Sequence, residues 1–397
     1  MFHQRTAPAA AAGDLLDAYR PGAAFLASPD GVILGEGVAA TAERLEDVSG
    51  LLAQGTAEAE SGPIAIGAIP FDGTAPGRLV VPALVRTAPP LSRSPQGDRR
   101  QRPLPGPWDM RALPDPAAHV ANVEQALKHL AHGTGAQATA KIVLARSLRL
   151  TGPGPVDVGQ LLGNLAWRDP AAYTFAADLP SAGAAPRTLI GASPELLVAK
   201  RDGRVVSNPL AGSAPRSADP SKDQRNAVHL LGSAKDRHEH AVVVEAVAEA
   251  LRPYCRTLDV PEPELARTAT LWHLSTRITG ELRDPGTPSP VLAAALHPTP
   301  AVCGSPTAAA RAAIAGIEPF DRGFYTGAVG CTDARGDGAW VVSIRCADVA
   351  GDTLDLFAGG GIVPESDPDA ELAETSAKLR TLLLALGVNQ PLAAPPR

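Results

Sequence analysis

Apolar positions recur along this chain with two periods. Over the first 86 residues the runs AAFLAS, GVILGEG, PIAIGAIPF and RLVVPALV predict short strands, with one helical stretch, ATAERLEDVSGLLAQG, among them. Residues 87–116 (TAPPLSRSPQGDRRQRPLPGPWDMRALPDP) lose all periodicity, and their prolines and arginines predict a connector and a subdivision point. Beyond it HVANVEQALKHLAHG has helical spacing and AKIVLARSLRL alternates as a strand. YTFAADL, RTLIGASPELLVAKRDGRVVSNPL and GAVGCTDARGDGAWVVSIRCADVAGDTLDLFAGGGIV read as hairpins with Asp-Gly and Gly-Asp turns. KDRHEHAVVVEAVAEALRPY and DPDAELAETSAKLRTLLLALG read as two long amphipathic helices. Hairpins interleaved with long helices predict an α+β fold, not a doubly wound parallel sheet. The pattern divides the chain into an N-terminal α/β part (1–86), the connector (87–116) and a core (117–387), and length alone allows two or three domains or one long unit.

Composition narrows the classes. With 397 residues, 45% apolar and 20% charged, the chain has ample material for a large core. A formal charge of −6 disfavours nucleic acid as a ligand. Four cysteines (Cys255, Cys303, Cys331, Cys346) without a C-x-x-C pair suit a reducing cytoplasm. The N-terminus has no apolar leader core, and no stretch approaches the roughly 18 apolar residues of a membrane span. Only six of the 36 basic residues are lysine (Lys128, Lys141, Lys200, Lys222, Lys235, Lys378), as expected of a GC-rich coding bias. A lysine kept against that drift is a candidate for chemistry, because it can lose its proton where arginine cannot.

The clearest chemical signal is carboxylates on the two long helices. Asp236 and Glu239 are three apart, as are Glu371 and Glu374, so each pair shares a helix face; Lys378 lies four after Glu374. Four carboxylates converging on one point would need a hard cation such as Mg²⁺. The commoner meaning of such spacing is two solvated faces, with Glu374–Lys378 an i,i+4 ion pair. His238-Glu239-His240 is no zinc motif, since residues two apart on a helix point to different sides. Ala358-Gly359-Gly360-Gly361 and Leu210-Ala211-Gly212-Ser213 end strands where glycine would let backbone N–H groups approach an anion, or simply make a turn. Lys141, Glu195 and Arg345 each sit inside an apolar segment. An inward lysine is costly unless used, a half-buried glutamate is suited to donating a proton, and an arginine there suits a carboxylate. Lys141 also reads as an outward lysine on a half-buried strand, and Glu195 as a surface glutamate at a hairpin.

Together these segments resemble the chorismate-utilising enzymes, and among them the isochorismate synthases. The matching stretches are AKIVLAR (140–146), LIGASPELL (189–197), NPLAGSAPR (208–216), SAKDRHEH (233–240), LWHLSTRITG (271–280), LHPTPAVCGSPT (296–307), DRGFYTGAVG (321–330), WVVSIRCADV (340–349) and FAGGGIVPESDPDAELAETSAKL (357–379). The resemblance implies one chorismate-binding domain with two layers of antiparallel sheet flanked by helices and the site between them. It implies that Glu239 and Glu374, with Asp236 and Glu371 beside them, hold Mg²⁺ against the ring carboxylate. Arg345 would grip the enolpyruvyl carboxylate near the Gly359 backbone, and His273 would face the ring. Gly212, Ser213, Ala301, Val302 and Lys378 would complete the substrate contacts. Lys141 would be the general base for water attacking ring carbon 2, and Glu195 the general acid for the hydroxyl leaving carbon 4.

Lys141 separates this group from relatives that install ammonia, so no glutaminase subunit is expected; the expected state is a monomer. Ala301 points to isochorismate as the final product, where salicylate synthases tend to carry Thr. Tyr325 stands where isochorismate synthases often have Phe and salicylate synthases Tyr, while Val302 for Leu and Gly360 for Ala are milder departures. The expected activity is an Mg²⁺-dependent isomerase feeding siderophore precursors, with menaquinone supply second. The competing readings are a salicylate synthase and a non-catalytic chorismate-binding homologue.

Overall fold

The computed structural model describes residues 1–6, 11–57, 62–93, 100–133, 138–181 and 186–389. Its strands form a twelve-stranded, a nine-stranded and a three-stranded sheet among these residues. Near one end of the largest, Lys141–Thr151 pairs antiparallel with Thr353–Ile362, followed across the sheet by Cys346–Ala350, Arg187–Ser193, Tyr173–Leu179 and Ala24–Ser28. The nine-stranded sheet has Leu196–Arg201, Gly338–Val342, Ala328–Asp333 and Ile64–Ile69 at its centre. Strands from before residue 87 thus continue both large sheets. Parallel pairing enters at one edge, where Phe2–Thr6 runs parallel to Gly55–Ala57 and to Leu84–Ala88.

Strand alternation decides which layer each side chain joins. Phe175, Ala177 and Leu179 face the second sheet, packing with Leu189, Val329 and Val341. Ala176 points the other way, toward the helices Val158–Arg168 and Pro368–Leu386. On the far side, Leu197 and Val205 of the nine-stranded sheet pack on Val243, Val247 and Leu251 of the helix Ala234–Leu251. Each fully buried Leu, Val or Phe in these layers contributes about 1.5–3 kcal/mol relative to exposure. The result is helix, sheet, sheet, helix, as the α+β expectation required.

The connector differs from expectation. Asp109–Leu113 is a strand on the end of Lys141–Thr151, and Leu91 and Leu104 are buried in the helix-covered core; residues 94–99 of the connector lie outside the described residues. This strand escapes a periodicity reading because its ladder comes from its partner, while its own Leu113 is exposed. Four helices beyond residue 157 were also not anticipated: Val158–Arg168, Pro220–Gly232, Ser289–Leu296 and Thr307–Ile317. Two of them carry a start signal, Asp157 and Asp219 capping backbone N–H groups, the second followed by Pro220.

Candidate active site

Lys141 opens its strand opposite Ser305, and its side chain is 0% exposed, so it is not an outward surface lysine. Its Nζ lies 2.9 Å from Glu239 Oε1 but is aligned for a hydrogen bond to no acceptor among the described residues, leaving its donors unspent. Glu195 sits at the bend between Arg187–Ser193 and Leu196–Arg201, where Pro194 interrupts pairing; it too is buried. Burial pushes its carboxyl up to about 7, against the backbone N–H of Leu210 and the charges of Lys141, Arg345 and Lys378. A carboxyl so placed keeps a proton to give near neutrality.

A cavity of about 50 Å³ is lined by Glu239, which pairs with Lys141, and by Pro194, the residue before Glu195. Of the anticipated substrate contacts, Gly212, His273, Ala301, Val302, Tyr325, Arg345, Gly359 and Lys378 line it, together with Glu239. Ser213 stands just outside, its hydroxyl donating to Glu374 Oε1 at 2.9 Å. Arg345 is buried with φ +51°, a left-handed backbone uncommon for a residue with a Cβ, held at the edge of the cavity. Its guanidinium lies 3.5 Å from His273 Nε2, while His273 Nδ1 lies 3.1 Å from the Gly212 carbonyl. Burial, then the charges of Arg345 and Lys378, pushes His273 down to about 3, so the ring is neutral, with Nδ1–H donating to Gly212 and Nε2 accepting from Arg345. Lys378 Nζ donates to the Gly359 carbonyl at 2.7 Å and pairs with Glu374 at 2.6 Å.

The acidic faces of the two helices meet rather than face solvent. Glu239 and Glu371 are buried, and Asp236 is raised by its own burial and then by the charges of Glu239 and Glu374. Burial and the neighbouring Glu374 charge raise Glu371; Glu374 stays low because Lys378 and Ser213 outweigh its burial. Three lysines hold three of these acids: Lys141 with Glu239, Lys378 with Glu374, and Lys235 with Glu371 at 2.7 Å. Lys235 was not singled out from the sequence; its signals were its survival as one of six lysines and its place in the matching stretch 233–240. As the side chains stand, no three His, Cys, Asp or Glu among the described residues are gathered tightly enough to hold a metal ion. The donor set nevertheless fits a hard divalent cation: it is all carboxylate oxygen, and Glu371 Oε2 is buried without a hydrogen-bond partner. His238 is exposed while His240 is buried against Thr276, which disposes of a zinc pair.

The glycine run leaves room for the side chains of the site. A Cβ on Gly361 would come within 2.2 Å of Glu239 Oε1 and 2.6 Å of Lys141 Cε, and one on Gly360 within 2.7 Å of Glu371 Oε2. Gly359 makes room for the Tyr325 hydroxyl, 3.0 Å from where its Cβ would lie. The strand has no side chains here because the acids and the lysine of the site occupy that space.

Comparison with known proteins agrees with this geometry. The profile of the chorismate binding enzyme family matches residues 93–387. Isochorismate synthase DhbC of Bacillus subtilis is 50% identical over 98% of this chain and 100% of its own length. The vibriobactin-specific isochorismate synthase of Vibrio cholerae is 41% identical over 92% of this chain and 91% of its own. Among solved structures, DhbC of Bacillus anthracis superposes with a TM-score of 0.87 at 47% identity, covering 95% of this chain and 99% of that one. The menaquinone-specific isochorismate synthase MenF of Escherichia coli does so with a TM-score of 0.78 at 28% identity, covering 95% and 92%. A profile match over most of the sequence, on a fold that pairs these acids with three lysines, means that the chain belongs to the chorismate binding enzyme family.

Proposed function

We propose that this protein is an isochorismate synthase, an isomerase that adds water at ring carbon 2 of chorismate as the carbon 4 hydroxyl departs. The observation that supports the mechanism is that Lys141 and Glu195 are both buried, the first paired with Glu239 and the second next to Pro194, two residues that line one cavity with Arg345. Lys141 takes a proton from the attacking water. The ring double bonds shift, and Glu195 gives its proton to the leaving hydroxyl, which departs as water. One water enters and one leaves, so the product is an isomer. Each transfer meets a need of the chemistry, since water is a poor nucleophile with its proton and hydroxide a poor leaving group without one.

Arg345 holds the enolpyruvyl carboxylate, and the neutral His273 keeps it oriented without adding a charge. Gly212, Ala301, Val302, Tyr325 and Lys378 form the wall around the ring, with Ser213 and Gly359 supporting it. Glu239 and Glu374, with Asp236 and Glu371, would hold Mg²⁺, which when bound supplies charge neutralisation and orientation for the ring carboxylate. A volume of about 50 Å³ suits one or two waters. Chorismate therefore binds as the lysine–carboxylate pairs part and the wall moves back. The enzyme works as a stand-alone monomer in the cytoplasm, one chorismate-binding domain over 1–397 with no glutaminase subunit. It feeds siderophore precursors such as 2,3-dihydroxybenzoate or salicylate, menaquinone being the second destination.

The test is to incubate the protein with chorismate and Mg²⁺, identify products by chromatography, and follow pyruvate with lactate dehydrogenase. Isochorismate without stoichiometric pyruvate is the expected result. Rapid stoichiometric pyruvate would instead favour a salicylate synthase, the reading that the Tyr325 hydroxyl over Gly359 supports. Binding without turnover would leave a non-catalytic homologue.

A further inference from the structure

The strand that begins at Lys141 has a gap along one edge. Lys141 and Ile142 pair with Gly304–Ser305, the Val143 N–H donates to the Cys303 carbonyl at 2.9 Å, and Ser147–Thr151 pair with Asp109–Leu113, but between them the Val143 carbonyl and Leu144–Arg146 have no strand partner on that side among the described residues. A buried ion pair fills the gap. Arg322 Nη2 donates to the Val143 carbonyl at 2.8 Å, and the Ala145 N–H donates to Glu318 Oε1 at 2.7 Å, so two side chains substitute for ladder bonds that a strand would make.

The same guanidinium reaches a second lining residue of the pocket. Nη1 donates to the Val302 carbonyl at 2.7 Å, and the Arg322 carbonyl accepts the N–H of Tyr325 at 2.9 Å. Glu318 grips Nε and Nη2 at 2.8 and 2.6 Å, and the guanidinium lies 4.6 Å from the centre of the Phe71 ring. Both side chains are 2% exposed. A buried ion pair is a poor source of net stability, and apolar replacement is often neutral or better. Its retention here calls for a geometric reason, and one fork joining three segments around a cavity supplies it.

We infer that Arg322, held by Glu318, is a positioning residue of the pocket: it sets where Val302 and Tyr325 stand relative to the Lys141 strand. This rests on the reading of the cavity as the chorismate site. The test measures kcat, KM for chorismate and melting temperature for the parental enzyme, Arg322→Lys, and the charge-free double variant Glu318→Gln/Arg322→Met. The double variant avoids a buried unpaired charge but leaves the Val143 and Val302 carbonyls without their donor, so it is expected to melt below the parental temperature, with a chorismate KM raised at least about tenfold and kcat changed less. Arg322→Lys keeps the charge for Glu318 but cannot span both carbonyls, so its KM is expected to rise at least about fivefold. Parental KM in either folded variant would overturn the inference; if the double variant fails to fold, Arg322→Lys decides alone. Absence of turnover in the parental enzyme would instead sink the chorismate reading.

Discussion

Lys141 Nζ and Glu239 Oε1 stand 2.9 Å apart with the lysine side chain 0% and the carboxylate 11% exposed. This pair joins the proposed base on a strand to a proposed metal ligand on a helix. The roles proposed for them differ, proton acceptance and metal holding, and in the free protein each occupies the other.

Replacing Lys141 should therefore remove turnover without removing binding. Lys141→Ala is expected to lower kcat by about 10²–10⁴-fold, the usual contribution of a general base. Chorismate binding, followed by calorimetry, should persist because Arg345, His273 and Lys378 remain. Unchanged turnover would overturn the assignment.

Glu195 gives a pH signature of defined sign. Its folded-state value, about 7, lies above the ordinary 4.5, so ionising it opposes folding. The stability it contributes is complete below pH 4.5, falls as pH rises toward 7 and stays lost above that. The difference is worth about 3 kcal/mol at most. Glu195→Gln should melt above the parental protein at pH 8 and level with it near pH 4.5, while turnover falls at least about 100-fold. In the parental enzyme kcat/KM should decline on the alkaline side with an apparent midpoint near 7. A flat profile from pH 6 to 9 would count against the acid role.

Chelation should silence the enzyme and Mg²⁺ should restore it. Glu239→Gln and Glu374→Gln should each weaken Mg²⁺ binding in titration calorimetry by at least about tenfold, independently of any activity assay. Full activity after exhaustive chelation would remove the metal from the mechanism.

Gly361→Ala is a conservative change with a large expected effect. Its Cβ would meet Glu239 Oε1 and Lys141 Cε far inside contact distance. Turnover should fall at least about tenfold and the melting temperature should drop. Alanine at Gly50, where a Cβ would meet nothing within 4 Å, is the matched control and should leave activity intact.

Much of the site was legible as local pattern. The i,i+3 spacing placed Asp236 with Glu239 and Glu371 with Glu374, because helix geometry repeats every few residues. The unusual settings of Lys141, Glu195 and Arg345 were visible as charges inside apolar segments. Less legible was the packed strand inside the connector, whose pairing comes from residues 147–151 rather than from its own pattern.

The sequence by itself determined the elements, the family motifs and which residues were available for proton transfer, since propensity, periodicity and side-chain chemistry are properties of short segments. Only the tertiary structure decided that the two acidic faces meet, that Lys235 reaches Glu371 across 136 positions, and that Arg322 and Glu318 close the gap in the Lys141 strand. Those contacts depend on how layers stack, and burial, which turns an ordinary glutamate into a proton donor at neutral pH, exists only once they have stacked.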